Sequence, residues 1–222
     1  MITNIATTCW VGIEGINGVG KTHLTRALAV RLGPRCQVLA ELTDAEGEHV
    51  PCEVMSALSC GGSFLRTGHP LTETFALMAL KVREYELVMQ MATPPPIVLE
   101  DRGIDTVALY QAAILLGPDV SDDDTWALAQ QIHATAAMWR PASELTLLVT
   151  DDIGNCLDRY AEREGAPMTD EEQHLVTRVA RLYERQAEHE PERFRIVHRA
   201  GRGEDDIVAE MERLVLTGVG ER

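Results

Sequence analysis

A glycine-rich octapeptide, Gly15-Ile16-Asn17-Gly18-Val19-Gly20-Lys21-Thr22, constrains this chain more than any other feature. Its spacing, G-x-x-x-x-G-K-T, is that of a loop whose backbone N–H groups curl inward around phosphate oxygens. The curl needs backbone conformations that glycine adopts without penalty. The flanking residues agree. Cys9-Trp10-Val11-Gly12-Ile13 is short and apolar and predicts a buried strand. Thr22 to Leu32 has helical period, with Leu24, Leu28 and Leu32 on one face. A helix starting directly after the loop adds positive potential there. Gly15, Asn17, Gly18, Val19, Gly20, Lys21 and Thr22 are therefore the candidate ATP-binding residues. Lys21 would reach the β- and γ-phosphates, and Thr22 would ligate Mg²⁺. Of 20 Lys and Arg residues only Lys21 and Lys81 are lysines. In such a sequence a lysine at the motif position points to a need for a compact point charge. The competing reading, a glycine turn that binds nothing, fits the flanking strand and helix poorly.

The remaining chain alternates in the same way. Gln37–Leu42, Ile97–Leu99, Leu145–Val149 and Phe194–Val197 read as further strands. Helices are expected from about Leu71 to Met91, Gly103 to Leu116, Ser121 to Trp139, Asp152 to Glu164, Thr169 to Glu188 and Asp205 to Leu216. Thr169-x-x-Glu172 has the form of a capping box. Thr43 to His49 reads as a polar loop, and Gly61-Gly62 and Gly68-His69-Pro70 bracket a second flexible section. Strands alternating with helices predict an α/β fold, a parallel sheet with helices on both faces. Nothing in the 222 residues resembles a linker, so one domain over residues 1–222 is expected.

Charge and composition exclude several partners. A net charge of −15 argues against nucleic-acid polymers and anionic membranes. No leader-like or membrane-spanning apolar run is present. The five cysteines and seven histidines lack metal spacing, and the cysteines read as reduced packing residues of a cytoplasmic protein.

Asp101-Arg102 follows the strand Ile97–Leu99. Ligands of open α/β sheets bind at the carboxyl ends of strands. The pair would face the phosphates, the carboxylate organising Mg²⁺ or the acceptor and the guanidinium clamping a phosphate oxygen. A strand-end salt bridge is the equally simple alternative.

The register Asp101-Arg102-x-x-x-Thr106-x-x-x-Tyr110-Gln111 resembles the D-R-Y-x-x-S-x-x-A-Y-Q stretch of thymidylate kinases. Ile13 to Thr22 resembles that family's E-G-x-D-G-x-G-K-S/T opening. Asp158-Arg159-x-x-x-Arg163 resembles the E-R-x-x-x-R that leads into its lid, and Val179-x-x-x-Tyr183 the helix after the lid. The resemblance spans most of the chain. It implies a five-stranded parallel sheet, ATP with Mg²⁺, a lid at about residues 159–172, and a homodimer. It also implies phosphoryl transfer to a pyrimidine nucleoside monophosphate. The site residues carried over are Lys21, Asp101, Arg102, Arg159, Arg163 and Glu41 for catalysis, and Asn17, Lys81, Arg83, Arg102, Tyr110 and Gln111 for the acceptor. Thr22 and Asp101 are implied for the metal.

The departures bear on the acceptor. Asn17 stands where the family has an acidic residue at the sugar hydroxyl, and Ala40-Glu41-Leu42 where it has R-E-P. Gly103 replaces an aromatic residue, and Met168 to Glu172 lacks the second lid arginine. Lys81 or Arg83 falls where an arginine contacts the base. Cations for the transferring group must then come from Lys21, Arg102, Arg159, Arg163 and Arg178. In related deoxynucleoside kinases a glutamate placed like Glu41 acts as base on a sugar hydroxyl. Two alternatives therefore stand beside the nucleotide kinase: a kinase acting on a nucleoside hydroxyl, and a nucleotide-binding protein without catalysis. Arg159 and Arg163 are one helical turn apart and share a face, either a lid face or a solvated one paired with Asp158 and Glu162.

Overall fold

The computed structural model describes residues 8–42, 49–59 and 68–220. Its elements in chain order are β1 (Cys9–Glu14), α1 (Lys21–Leu32), β2 (Cys36–Leu39), α2 (His49–Ser59), α3 (Pro70–Met89), β3 (Ile97–Asp101), α4 (Ile104–Leu116), α5 (Asp122–Ala137), β4 (Leu145–Thr150), α6 (Ile153–Glu164), α7 (Asp170–His189), β5 (Phe194–His198) and α8 (Glu204–Gly220). The five strands form one sheet in the order β2-β3-β1-β4-β5. Every pairing is parallel. Each connection must therefore cross over the sheet, and helices supply the crossovers. One helical group contains α1 beside α8; the other gathers α3, α5 and α7 around α4. Strands covered on both faces read as continuous apolar runs, which is how β1, β3 and β4 look in the sequence. Val11, Ile13, Leu99, Leu147 and Val197 are buried at the centre of this core.

Two expected helix starts take the form their residues imply. Ser121 caps α5 by accepting from the Asp124 N–H, and Thr169 and Glu172 form the reciprocal capping box of α7. Two expectations differ. β2 stops at Leu39 rather than Leu42, and the register Leu39–Glu100 is its last pair with β3. Ala40, Glu41 and Leu42 thereby leave the ladder as a loop at the carboxyl end of the sheet. Helix α2 was not anticipated; Pro51 masks it in the sequence but is tolerated in a first turn. The polar stretch 43–48 and the Gly61-Gly62 section lie outside the described residues. Among the described residues no helix is long and apolar enough to cross a membrane.

Candidate active site

The glycine loop joins the central strand β1 to α1, so it sits at the middle of the sheet's carboxyl edge. Gly18 (φ 78°) and Gly20 (φ 92°) are left-handed. A Cβ on Gly18 would overlap the carbonyl oxygen of Cys156 in α6, so this glycine is needed for space as well as conformation. Lys21 is buried, and its Nζ donates to the carbonyls of Gly15 and Ile16 at 2.9 Å each. Burial, helped by the neighbouring Arg102 charge, pushes the ammonium down to about 7. An anion arriving on the loop would restore the charged form. Arg159 of α6 leans onto the same loop, with Nε donating to Gly18 O at 2.8 Å and Nη2 paired to Asp151 at 2.5 Å. Arg163, one turn on, is exposed, lies over the Tyr160 ring and pairs with Glu164 at 2.8 Å. The packing thus brings Arg159 to the loop and leaves Arg163 toward solvent.

Asp101 ends β3 beside the loop. Both of its carboxylate oxygens are buried, with the Thr22 hydroxyl as donor and the Lys21 charge beside them. Burial raises its pKa, while the Lys21 charge opposes the rise. A carboxylate buried this deeply costs free energy unless cations and donors meet it. That is the condition a Mg²⁺-nucleotide would satisfy, with Thr22 at the start of α1 close by. Among the described residues no group of three or more His, Cys, Asp or Glu gathers around a metal position. A metal here would therefore take much of its shell from phosphate and water, as Mg²⁺ usually does.

Arg102 is the next residue and, among the described residues, the non-glycine with positive φ, at 64°. Such a conformation is costly for a long side chain and persists where its surroundings enforce it. Its N–H donates to Ile13 O at 3.2 Å, which turns the chain off the strand. The guanidinium then reaches Glu41, Nε to Oε1 at 2.7 Å, and Asn17, Nη2 to Oδ1 at 3.1 Å. Tyr110 donates to the same Asn17 oxygen at 2.8 Å, and its hydroxyl accepts from Asn17 N at 3.2 Å. Its ring lies under the Arg102 guanidinium, with 5.9 Å to the centroid. Asn17, Glu41, Arg102 and Tyr110 are therefore one network, although the sequence scatters them over more than ninety residues. Burial raises the Glu41 pKa, but the charges of Arg102 and Lys21 outweigh it and hold the carboxyl below its ordinary range.

A cavity of about 90 Å³ opens beside this network. Its walls include Glu41, Leu77, Lys81, Arg102, Tyr110 and Gln111. Gln111 accepts from Thr74 at 2.9 Å. Of the two candidates on α3, Lys81 lines the cavity and Arg83 does not. The Lys81 ammonium is already paired, with Glu84 at 2.9 Å and Glu100 at 3.4 Å. Arg178 lies elsewhere, on a larger cavity of about 690 Å³. There it pairs with Asp122 at 2.9 Å and donates to the carbonyls of Gly117 and Val120. It pins the α4–α5 connection and supplies no charge to the loop.

Three buried residues under the site have contacts that a motif reading does not give. Glu14, at the end of β1, accepts from Gly103 N at 2.7 Å, from Thr106 Oγ1 and from Tyr183 OH at 2.8 Å. Glu100 forms a bidentate pair with Arg140, at 2.7 and 2.8 Å. A Cβ on Gly103 would lie 2.9 Å from Glu100 Oε2 and 3.2 Å from Glu14 Oε1. The two carboxylates thus account for glycine where the resembling family has an aromatic residue. The available signal was the acidic residue ending each of two apolar strands.

Burial, and then the Asp105 charge, raises Glu14 from 4.5 to about 7. An unfolded chain would release this proton near 4.5, so between about pH 4.5 and 7 the unfolded state binds fewer protons. The Glu14 contribution to stability therefore falls as pH rises through that window, by up to about 3 kcal/mol. Glu14→Gln is expected to flatten this part of the profile. Melting curves of both proteins from pH 4.5 to 8 check it, and identical slopes would refute the assignment.

A glycine loop after the central strand of a β2-β3-β1-β4-β5 parallel sheet, with lysine inside and an Asp-Arg pair facing it, has the arrangement of a P-loop nucleotide site. The comparisons with known proteins narrow the class. The chain is 28% identical over 213 residues to a probable thymidylate kinase of Halorubrum lacusprofundi, covering 95% of this chain and 99% of that one. In fold it matches the thymidylate kinase from Ehrlichia chaffeensis with a TM-score of 0.63 at 17% identity, covering 94% of this chain and 98% of the other. The thymidylate kinase from Candida albicans matches with a TM-score of 0.63 at 19% identity, over 95% and 92% of the two chains. No family model matches the chain. In both sequence and fold the chain is thus similar to thymidylate kinases.

Proposed function

We propose that this chain transfers the γ-phosphoryl group of ATP to a pyrimidine nucleoside monophosphate of thymidylate type. The observation that carries the reading is the shared wall: the Arg102 network separates the phosphate loop from the acceptor cavity and touches both. In the reaction the bond from the γ-phosphorus to the β–γ bridging oxygen breaks. A new bond forms to an acceptor phosphate oxygen, and ADP leaves. Lys21 would neutralise charge on the β- and γ-phosphates, with Arg159 at the same loop. Thr22 and Asp101 would hold Mg²⁺, which would supply Lewis-acid stabilisation of the negative charge on the transferring group. Arg102, held in place by Glu41 and Asn17, would clamp the acceptor phosphate with its remaining donors. Segment 159–172 is the lid in this reading. Association of two copies through the exposed face of α3, at Leu71 and Phe75, belongs to the same reading, and a monomeric mass in solution would remove it.

The state of Glu41 favours a monophosphate over a nucleoside. A hydroxyl acceptor needs a base, and a carboxylate paired at 2.7 Å and held below its ordinary range is a weak one. A phosphate acceptor is already anionic and needs a cation, which is what Arg102 offers. The test compares kcat/KM for thymidylate, other pyrimidine monophosphates and their nucleosides under the same ATP and Mg²⁺. A charge-assisted contact contributes about 1.5–3 kcal/mol, so nucleosides should be poorer by at least roughly tenfold to a hundredfold. Turnover of nucleosides with no turnover of monophosphates would overturn the proposal.

A further inference from the structure

The sheet order divides the site into two flanks. Glu41 follows β2, and Asp101 and Arg102 lie at the end of β3, so the acceptor side is all on one side of the central strand β1. α6 follows β4 on the other side, and Arg199 follows β5 at the far edge. A polyphosphate seated on the loop with its transferring end toward Asp101 and Arg102 must carry its nucleoside end toward β4 and β5.

Arg199 is fixed on that second flank. Its N–H donates to Thr150 O at 2.8 Å, and its carbonyl accepts from Arg202 N at 3.1 Å. The side chain turns onto the glycine loop, where Nη1 donates to Val19 O at 2.7 Å. A Cβ on Gly20 would overlap that nitrogen, so the guanidinium fills the space left by the missing side chain. The charge balance sets it apart from the other arginines beside the site. Arg102, Arg140, Arg159, Arg163, Arg178 and Arg193 all pair with carboxylates. Among the described residues, the Arg199 side chain makes this one hydrogen bond and no ion pair, in a chain of net charge −15. Arg159 on the same flank is already neutralised by Asp151. The first turn of α7, where a lid cation would serve, holds Asp170, Glu171 and Glu172 instead.

We propose that Arg199 is a donor-nucleotide residue, its guanidinium braced on the Val19 carbonyl and holding the α-phosphate end of ATP against the loop. A planar guanidinium with uncommitted N–H groups suits a phosphate in this position. The proposal rests on the phosphoryl-transfer reading above and deepens it, since it assigns the donor flank a cation that no motif marks.

The experiment uses the full chain with Arg199→Ala and Arg199→Gln. Glutamine can still donate to Val19 O but carries no charge. The measurements are ADP affinity by calorimetry, KM for ATP and for the monophosphate, and melting temperature without ligand. Both variants are expected to bind ADP at least tenfold more weakly and to raise the KM for ATP similarly. The KM for the monophosphate should stay within twofold, and the glutamine variant should melt like wild type. If Arg199→Ala does not fold, the glutamine variant decides. ADP affinity within twofold of wild type in Arg199→Gln would reduce Arg199 to a brace and overturn the proposal. So would an equal rise in both KM values. A wild-type protein that binds no ADP would instead overturn the phosphoryl-transfer reading itself.

Discussion

Lys21→Ala is expected to lower phosphoryl transfer by at least about a hundredfold to a thousandfold, while the protein still folds. The size follows from position. Lys21 is the one ammonium inside the glycine loop, and phosphoryl transfer is catalysed almost entirely by positioning and by cations on the transferring group. The fold should survive because, among the described residues, Nζ donates to the loop's own carbonyls alone, at 2.9 Å. Burial already disfavours its charged form in the free protein, so removing it deletes a poorly solvated charge. Lys21→Arg should not rescue activity, since a planar fork cannot replace a point charge in a closed loop. Turnover and melting temperature, measured side by side, check the expectation. Turnover within a few-fold of wild type in a folded Lys21→Ala protein would remove this loop from the chemistry.

Arg140→Ala is expected to be the most damaging substitution for stability, at about 3–5 kcal/mol. Arg140 is fully buried, holds both oxygens of the fully buried Glu100 and stacks over Trp10 with 5.0 Å to the ring centroid. Without it, Glu100 keeps, among the described residues, the Lys81 ammonium at 3.4 Å, which Glu84 shares at 2.9 Å. Burial acts to raise the Glu100 pKa, and the Arg140 and Lys81 charges reverse that and keep it ionised. The loss is therefore an uncompensated buried carboxylate as well as a cavity. For a chain of this size the melting temperature should fall by roughly 10 °C or more. Replacing both partners, Glu100→Gln with Arg140→Met, should recover part of the loss, because the pair itself contributes little beyond mutual compensation. A melting point within about 2 °C of wild type for Arg140→Ala would contradict this account of the site's floor. Damage should also reach the acceptor cavity, since Lys81 lines it and Asp101 adjoins Glu100 in β3.

The parts of the site that were legible in the sequence are those whose physics is local. Glycines at fixed spacing before Lys21-Thr22 dictate a loop conformation by themselves, and alternating apolar runs dictate strands and crossover helices. Ser121 and the Thr169–Glu172 box mark helix starts because a cap is made within four residues. The Asp101-Arg102 position could be placed because strand ends are where such sheets bind ligands.

Tertiary structure decided which charges are free to act. Composition shows only that carboxylates outnumber cations, 35 to 20, so most arginines must find acidic partners. Which ones do depends on contacts between residues far apart in the chain. Glu14 meets Tyr183 across 169 positions, Arg140 meets Glu100 across 40, and Arg199 meets Val19 across 180. Lys81 looked like an available cation and is held by two glutamates; Arg178 is occupied with the α4–α5 connection. Gly103 looked like a lost aromatic and is a space requirement set by two carboxylates. Pairing and desolvation depend on distances of a few ångströms between elements. The sequence determined the loop and the layered sheet, whereas the charge state and reach of each side chain around them were settled by packing.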